Sequence, residues 1–145
     1  MITDIDTSAP VIAIHEIVVA APVRRIWELH TDVAAWTGWQ PDITAAAIDG
    51  AIEPGTVFRW STFGLDIEST IYAVESQRRI VWGGSAHGIT GVHVWTFTEE
   101  AEGVRIRTEE SWDGEPIRAD VDGMRAALDS ALAGWLAHLK RAAES

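Results

Sequence analysis

VIAIHEIVVAAPVRRIWELHTDVAAWTGWQPDI, residues Val11 to Ile43, decides how the rest of the chain is read. It opens on a β-branched run, Val11–Val19, that suits a strand. Pro22 follows at a place that the first turn of a helix tolerates, because the N–H it lacks would be unpaired there anyway. Ile26, Trp27 and Leu29 give that short helix an apolar face. Thr31 and Asp32 offer a cap for a second short helix through Trp36. Gly38 stops it, and Pro41 enforces an extended exit toward Ile43.

Beyond Ile43 the pattern changes to antiparallel strands and tight turns. Strands are expected at about 43–49, 56–62, 65–75, 79–86, 90–99 and 103–112. Between them stand turn-forming groups: Glu53-Pro54-Gly55, Phe63-Gly64, Ser76-Gln77-Arg78, His87-Gly88 and Ala101-Glu102-Gly103. Residues 113–120 read as a loop that ends on Asp120, a good N-cap. A closing helix over about 121–143 carries Val121, Met124, Leu128, Leu132, Trp135 and Leu139 as one apolar stripe. Lys140 and Arg141 in its last turn suit the helix dipole.

Strand, two short helices, six strands and a long helix make an α+β domain. The expected architecture is a seven-stranded curved antiparallel sheet wrapped around the long C-terminal helix. A curved sheet need not touch that helix along its whole length, and the gap is a natural pocket. Residues 1–10 read as a flexible leader, and 11–145 as a single domain.

Composition narrows the function classes. A chain of 145 residues is long enough to bury a core without staples. It has no cysteine, which excludes disulfides, thiol catalysis and Cys-ligated metal, and fits a cytoplasmic location. The net charge of −11 disfavours nucleic acid and anionic membranes. The start, MITDIDTSAP, lacks the basic residues of a signal peptide, and no apolar run is long enough for membrane insertion. There is no His-Glu-x-x-His, phosphate-binding Gly-rich loop or Gly-x-Ser-x-Gly elbow, so no metal and no cofactor are expected. The oligomeric expectation is a monomer or homodimer.

The opening stretch resembles the SRPBCC (START-like, helix-grip) superfamily, particularly its polyketide cyclase/dehydrase-like branch. The matching residues are Ala21-Pro22, Ile26-Trp27, Asp32, Trp36-x-x-Trp39 and Ile43. Downstream, Arg79-Ile80-Val81-Trp82-Gly83-Gly84, His93-Val94-Trp95-Thr96-Phe97 and Leu136-x-x-Leu139-Lys140 look like the same family. The likeness covers about residues 11–143 and implies the helix-grip fold. It implies less about activity, because this fold hosts cyclases, lipid carriers and other binders.

Eight tryptophans sit in this small chain, beside three Phe and one Tyr. Side chains alternate across a strand, so each strand offers one inward list. The bulky, apolar lists give an inner wall of Phe58, Trp60, Ile67, Ser69, Ile71, Ile80, Trp82, His93, Trp95, Phe97, Ile106, Thr108, Glu110 and Trp112. Met124 and Leu128 face it from the closing helix. Such a wall is either a solid core or the lining of a pocket for a flat apolar ligand. Trp27 and Trp135 are assigned to ordinary packing, and Trp36 and Trp39 either to bracing the short helices against the sheet or to lining the pocket mouth. Tyr72, Arg105, Arg107, Glu109 and Ser111 fall on the outer list, and Arg118 is placed to overhang the mouth.

His93 and Glu110 are the two ionisable groups on the inner list. They flank the turn at residues 100–103 at equal offsets, so they should nearly face each other. A one-residue slip would send Glu109 inward instead. A carboxylate beside an imidazole can move protons in enolisation, aldol closure or loss of water, with His93 as acid/base and Glu110 as its orienter. The same pair can also be an internal hydrogen bond that only orders the sheet. The chain is therefore expected to bind a hydrophobic, aromatic or polyketide-like small molecule, with cyclisation or dehydration as the implied chemistry. A non-catalytic lipid or hormone-like carrier or sensor, and a chaperone-activator-like interaction protein, are the alternatives.

Overall fold

The computed structural model describes residues 2–145, so Met1 of the leader lies outside the described residues. Strand β1 (Val11–Val19) leads into helix α1 (Val23–Thr31) and a 3-10 helix (Val33–Gly38). Six strands follow: β2 (Ile43–Ile48), β3 (Val57–Thr62), β4 (Leu65–Glu75), β5 (Arg79–Ala86), β6 (Ile89–Glu100) and β7 (Gly103–Asp113). A short helix α2 (Glu115–Arg118) and the long α3 (Val121–Glu144) close the chain. The sheet has seven strands in the order β1-β7-β6-β5-β4-β3-β2, all neighbours antiparallel. This is the expected helix-grip arrangement. The added feature is α2, where Pro116 sits in the first turn of a segment that reads as loop.

Local chemistry sets the boundaries. Pro22 is the residue before α1 rather than its first turn. Its extended backbone hands β1 over to the helix, and its carbonyl accepts from Ile26 N at 3.2 Å. Asp120 caps α3 by accepting from Gly123 N at 3.1 Å. Arg25 of α1 ties the other end of α3, donating to the carbonyls of Ala142 and Ala143 at 2.9 Å each. Those carbonyls belong to the last turn, which has no helical N–H to receive. Lys140 Nζ adds a bond to Val18 O at 2.9 Å, so the C-terminal half of α3 is clamped onto β1.

The inner face of the sheet divides along its strands. At one end α1 and the 3-10 helix press Ile26, Trp27, His30 and Trp36 onto Phe58, Trp95 and Phe97, with Leu132, Trp135 and Leu139 from α3. Trp36 meets Phe58, Trp60 and Trp135 edge-on at 5.6, 6.0 and 5.2 Å between ring centroids. Edge-to-face contacts of this kind suit the ring quadrupoles. The other end is closed only in part, by the short α2, which packs on β6 and β7 with Ile117 buried.

The outer face carries a smaller apolar cluster of Val81, Val92 and Val94, on which Ile5, Tyr72 and Ala73 pack. The leader thus lies along this face. Asp6 N donates to Ser111 Oγ at 3.0 Å, which is why Ser111, on the outer list, is buried. Among the described residues no helix is long and apolar enough to cross a membrane.

Candidate functional site

The partly closed end of the sheet holds a cavity of about 610 Å³. Its walls are Trp60, Ile67, Ser69, Trp82 and Trp112 from the strands, with Leu128, Ala131 and Trp135 from α3. His93 and Glu110 form its ionisable corner. Volume arises here for a reason written in small residues. Gly84 and Gly91 pair across β5 and β6, two residues beyond the Trp82–His93 pair, and both line the space. Ala127, Ser130 and Ala131 face them from α3. Where large side chains fill the plugged end, these positions supply almost none.

The register brings the polar pair together. His93 is the cross-strand partner of Glu110, so Glu110 and not Glu109 points inward. Glu110 Oε1 lies 3.2 Å from His93 Nδ1. Glu110 Oε2 accepts from Trp112 Nε1 at 2.7 Å. His93 Nε2 lies 2.7 Å from Thr108 Oγ1. The result is a chain of contacts, Trp112–Glu110–His93–Thr108, across one face of the hairpin. Its members differ in access: the His93 side chain is 3% exposed and that of Glu110 17%.

Burial sets the charge of the pair. Loss of water pushes the Glu110 carboxyl up to about 7, with the Trp112 N–H pulling weakly the other way. Burial, and secondarily the nearby His30, drives the His93 imidazole well below its usual range. The favoured state below about pH 7 is therefore uncharged. The Glu110 hydroxyl donates to His93 Nδ1, and His93 Nε2–H donates to the Thr108 oxygen. Deprotonation at Glu110 leaves a carboxylate that accepts from both Trp112 and a His93 tautomer carrying its proton on Nδ1, with Thr108 then donating to Nε2. Thr108 can serve both tautomers because a hydroxyl both donates and accepts.

Of the residues expected to line a pocket, the structure gathers Trp60, Ile67, Ser69, Trp82, Trp112 and Leu128 around the cavity, with His93 and Glu110. Phe58, Trp95 and Phe97 are in the packed end instead, under Trp36, His30 and Trp27 of the short helices, and Ile71 is buried in the core. Thr108 is fully buried behind His93. Met124 packs at the margin of the core and does not reach the cavity. Trp135, assigned to packing, lies at the junction and does both, touching Trp36 and Trp95 while lining the cavity. Arg118 does not overhang the mouth; it pairs with Asp113, Nε to Oδ1 at 2.8 Å.

Sequence reasoning missed the rim and the floor. Phe63 and Leu65, on either side of the β3–β4 turn, are 69% and 39% exposed and line the mouth, with His87 from the β5–β6 turn. His87 Nε2 lies 3.1 Å from Asp66 O, which ties the two turns together. Gln40 and Asp42, in the segment before β2, complete the lining. Extending the inward alternation of β5 and β6 past Trp82 and His93 would have reached Gly84 and Gly91.

A curved antiparallel sheet gripping one long helix, with an internal cavity walled by indoles, defines a helix-grip protein. Residues 12–144 match the family described as polyketide cyclase / dehydrase and lipid transport, and the chain belongs to that family. Solved structures agree in fold. A hypothetical protein from Helicobacter pylori superposes with a TM-score of 0.83 at 19% identity, covering 99% of this chain and 98% of that one. A START superfamily protein from Mycobacterium smegmatis gives 0.77 at 12% identity, covering 92% and 97%. The di-domain ARO/CYC protein StfQ from the steffimycin biosynthetic pathway gives 0.76 at 18% identity, covering 92% of this chain and 50% of that one. No curated protein matches the chain in sequence.

Proposed function

We propose that this protein binds a flat, apolar, aromatic or polyketide-like molecule in the cavity and that Glu110 handles a proton on it. The observation that carries the reading is a buried ionisable pair, Glu110 on His93, in a largely apolar, indole-rich space of about 610 Å³ whose other ionisable groups, Asp42 and His87, lie away from that pair. The size and lining suit a small-molecule site with few orienting groups. Membership of a family that includes cyclases and dehydrases supports the chemistry.

The roles expected from the sequence exchange. Both His93 nitrogens are engaged within the protein, Nδ1 with Glu110 and Nε2 with Thr108. Glu110 is the more exposed partner, and a carboxyl retains further lone pairs after its two contacts. Glu110 is therefore the group that meets the ligand, and His93 positions it. A carboxyl with a pKa of about 7 is matched to work in both directions at neutral pH. In its neutral form it gives a proton to a carbonyl oxygen; as a carboxylate it takes one from the adjacent carbon.

Two measurements test this. Tryptophan fluorescence should be quenched by anthraquinone, and a protein freed of co-purified ligand that ignores flat apolar probes would overturn the binding reading. Cyclisation of a poly-β-ketone thioester mimic should be lost at least tenfold in kcat by Glu110→Gln, with KM little changed. Undiminished turnover in that variant would remove the proton role. A carrier without chemistry is the second reading, favoured by the internal satisfaction of His93. It predicts intact binding and no turnover in the wild type.

A further inference from the structure

Gln40 is 2% exposed and lines the cavity. Its backbone is fixed on both sides: Gln40 N donates to Trp36 O at 2.8 Å, and Ile43 N donates to Gln40 O at 3.1 Å. Its side-chain oxygen is committed as well, since Oε1 accepts from Asp42 N at 2.8 Å. That bond settles which end of the amide is which, because a backbone N–H can only meet the oxygen. Oε1 makes the one side-chain hydrogen bond of Gln40 among the described residues, which leaves the two N–H donors of Nε2 to the cavity that the residue lines. An amide held this firmly, with its donors open to a cavity, is pre-set to give a hydrogen bond to whatever acceptor occupies that space.

Position adds to the case. Ile43 pairs with Thr62 at the β2–β3 flank of the sheet, and Thr62 Oγ1 donates to Asp42 O at 2.6 Å, so the Gln40 segment sits on that flank. Glu110 lies on β7, with β6, β5, β4 and β3 between it and β2. The two polar groups thus stand on opposite flanks, and Trp60 and Trp82 lie on the strands between them.

We propose that Gln40 is a second polar anchor of the cavity, whose Nε2–H donates to a carbonyl oxygen on the end of the ligand remote from Glu110. The inference rests on the ligand-binding reading and narrows the ligand class. The molecule is flat and apolar through its middle, carries the reacting group at the Glu110 end, and carries a hydrogen-bond acceptor at the other. A plain hydrocarbon or an aliphatic chain leaves Gln40 unsatisfied and is selected against.

Fluorene and 9-fluorenone test this directly, since they share one ring skeleton and differ by the carbonyl. The wild type should bind fluorenone about fivefold more tightly than fluorene, the worth of one ordinary hydrogen bond. Gln40→Glu, assayed at a pH where the new carboxyl is ionised, keeps the oxygen that Asp42 N needs and replaces the donor with an acceptor. It should erase the preference while leaving fluorene affinity unchanged, which also reports an intact cavity. If that variant does not fold, the wild type still decides: the Gln40 side-chain amide proton should move downfield in NMR spectra with fluorenone and stay in place with fluorene. A preference that survives Gln40→Glu, or an amide signal indifferent to the carbonyl, overturns the anchor while leaving the cavity reading in force. Failure of both compounds to bind overturns the two together.

Discussion

His93 and Glu110 face each other across the β6–β7 hairpin with Nδ1 and Oε1 3.2 Å apart, yet burial favours neither charge. A pair at this distance in water would form an ion pair. Here the cost of desolvating both ions outweighs their attraction, and the proton stays on the carboxyl up to about pH 7.

The first prediction follows from that proton. In the unfolded chain Glu110 ionises near 4.5; in the folded protein it does so near 7. Between these values the folded state holds a proton that the unfolded state has lost, so the Glu110 contribution to stability falls as pH rises from about 4.5 to 7 and is level above. Glu110→Gln mimics the neutral acid and has no such loss. Urea midpoints measured from pH 5 to 8 should show the variant gaining on the wild type up to about pH 7, by on the order of 2–3 kcal/mol at the plateau. A difference that does not change with pH would show that Glu110 is charged in the folded protein throughout.

Trp112 gives the second. Its Nε1–H is 2.7 Å from Glu110 Oε2 and favours the carboxylate. Trp112→Phe keeps an aromatic wall and removes the donor. The Glu110 titration, followed by carboxyl ¹³C chemical shift, should move to higher pH. The pH at which turnover is half-maximal should move with it. A shift to lower pH would mean that the indole N–H does not hold the carboxylate.

The β-architecture was legible because alternation and turn chemistry agree at every step from Ile43 to Asp113. The Glu110 register was legible too, because equal offsets from the turn at 100–103 leave little freedom in a hairpin. What alternation could not supply was the position along each strand. Trp82 and Trp95 share the inner face, but one lines the cavity and the other lies under α1, where the His30 ring stands 4.3 Å away, and alternation does not tell them apart. Glycine was the second blind spot. Gly91 leaves room by having no side chain, and Gly84 is glycine because a Cβ there would lie 2.9 Å from the Glu68 carbonyl oxygen, so a search for bulky inward residues passes over both. Gln40 escaped for a third reason, since a lone glutamine beside a proline carries no pattern.

His30 supports a third prediction. It is 1% exposed, its ring lies 4.3 Å from that of Trp95 and 5.7 Å from that of Phe97, and neither nitrogen has a hydrogen-bond partner. Burial lowers its pKa to about 3. The unfolded chain takes up a proton at this residue below pH 6.5 and the folded protein does not, so stability is present above 6.5 and drains as pH falls toward 3. His30→Leu removes both the unsatisfied nitrogens and the proton uptake. It should be more stable than the wild type by about 1–2 kcal/mol at neutral pH. The gap should widen by roughly 1.4 kcal/mol for each pH unit below 6.5. Thermal melts at pH 7.5, 6 and 5 check this; a constant gap, or a less stable variant, would mean that the ring is solvated or bonded in solution.

Gly91 tests whether the cavity is used. A Cβ built there would lie 3.4 Å from Trp112 Cδ1 and 3.7 Å from Glu110 Oε2, ordinary contact distances. Gly91→Ala should therefore fold normally, since the backbone at this residue needs no positive φ and a strand gains from a side chain. Gly91→Val brings two further methyl groups against the indole and into the space beside the carboxyl. Binding of fluorenone should weaken little in the alanine variant and about tenfold or more in the valine variant. Urea stability should change by less than about 1 kcal/mol in the alanine variant, because no packed side chain has to leave. The graded loss separates occupation of this corner from general damage to the fold. If valine left affinity untouched while folding as well as alanine does, the ligand would have to sit against Trp60 and Trp135 alone. The Glu110 corner would then hold no ligand atom.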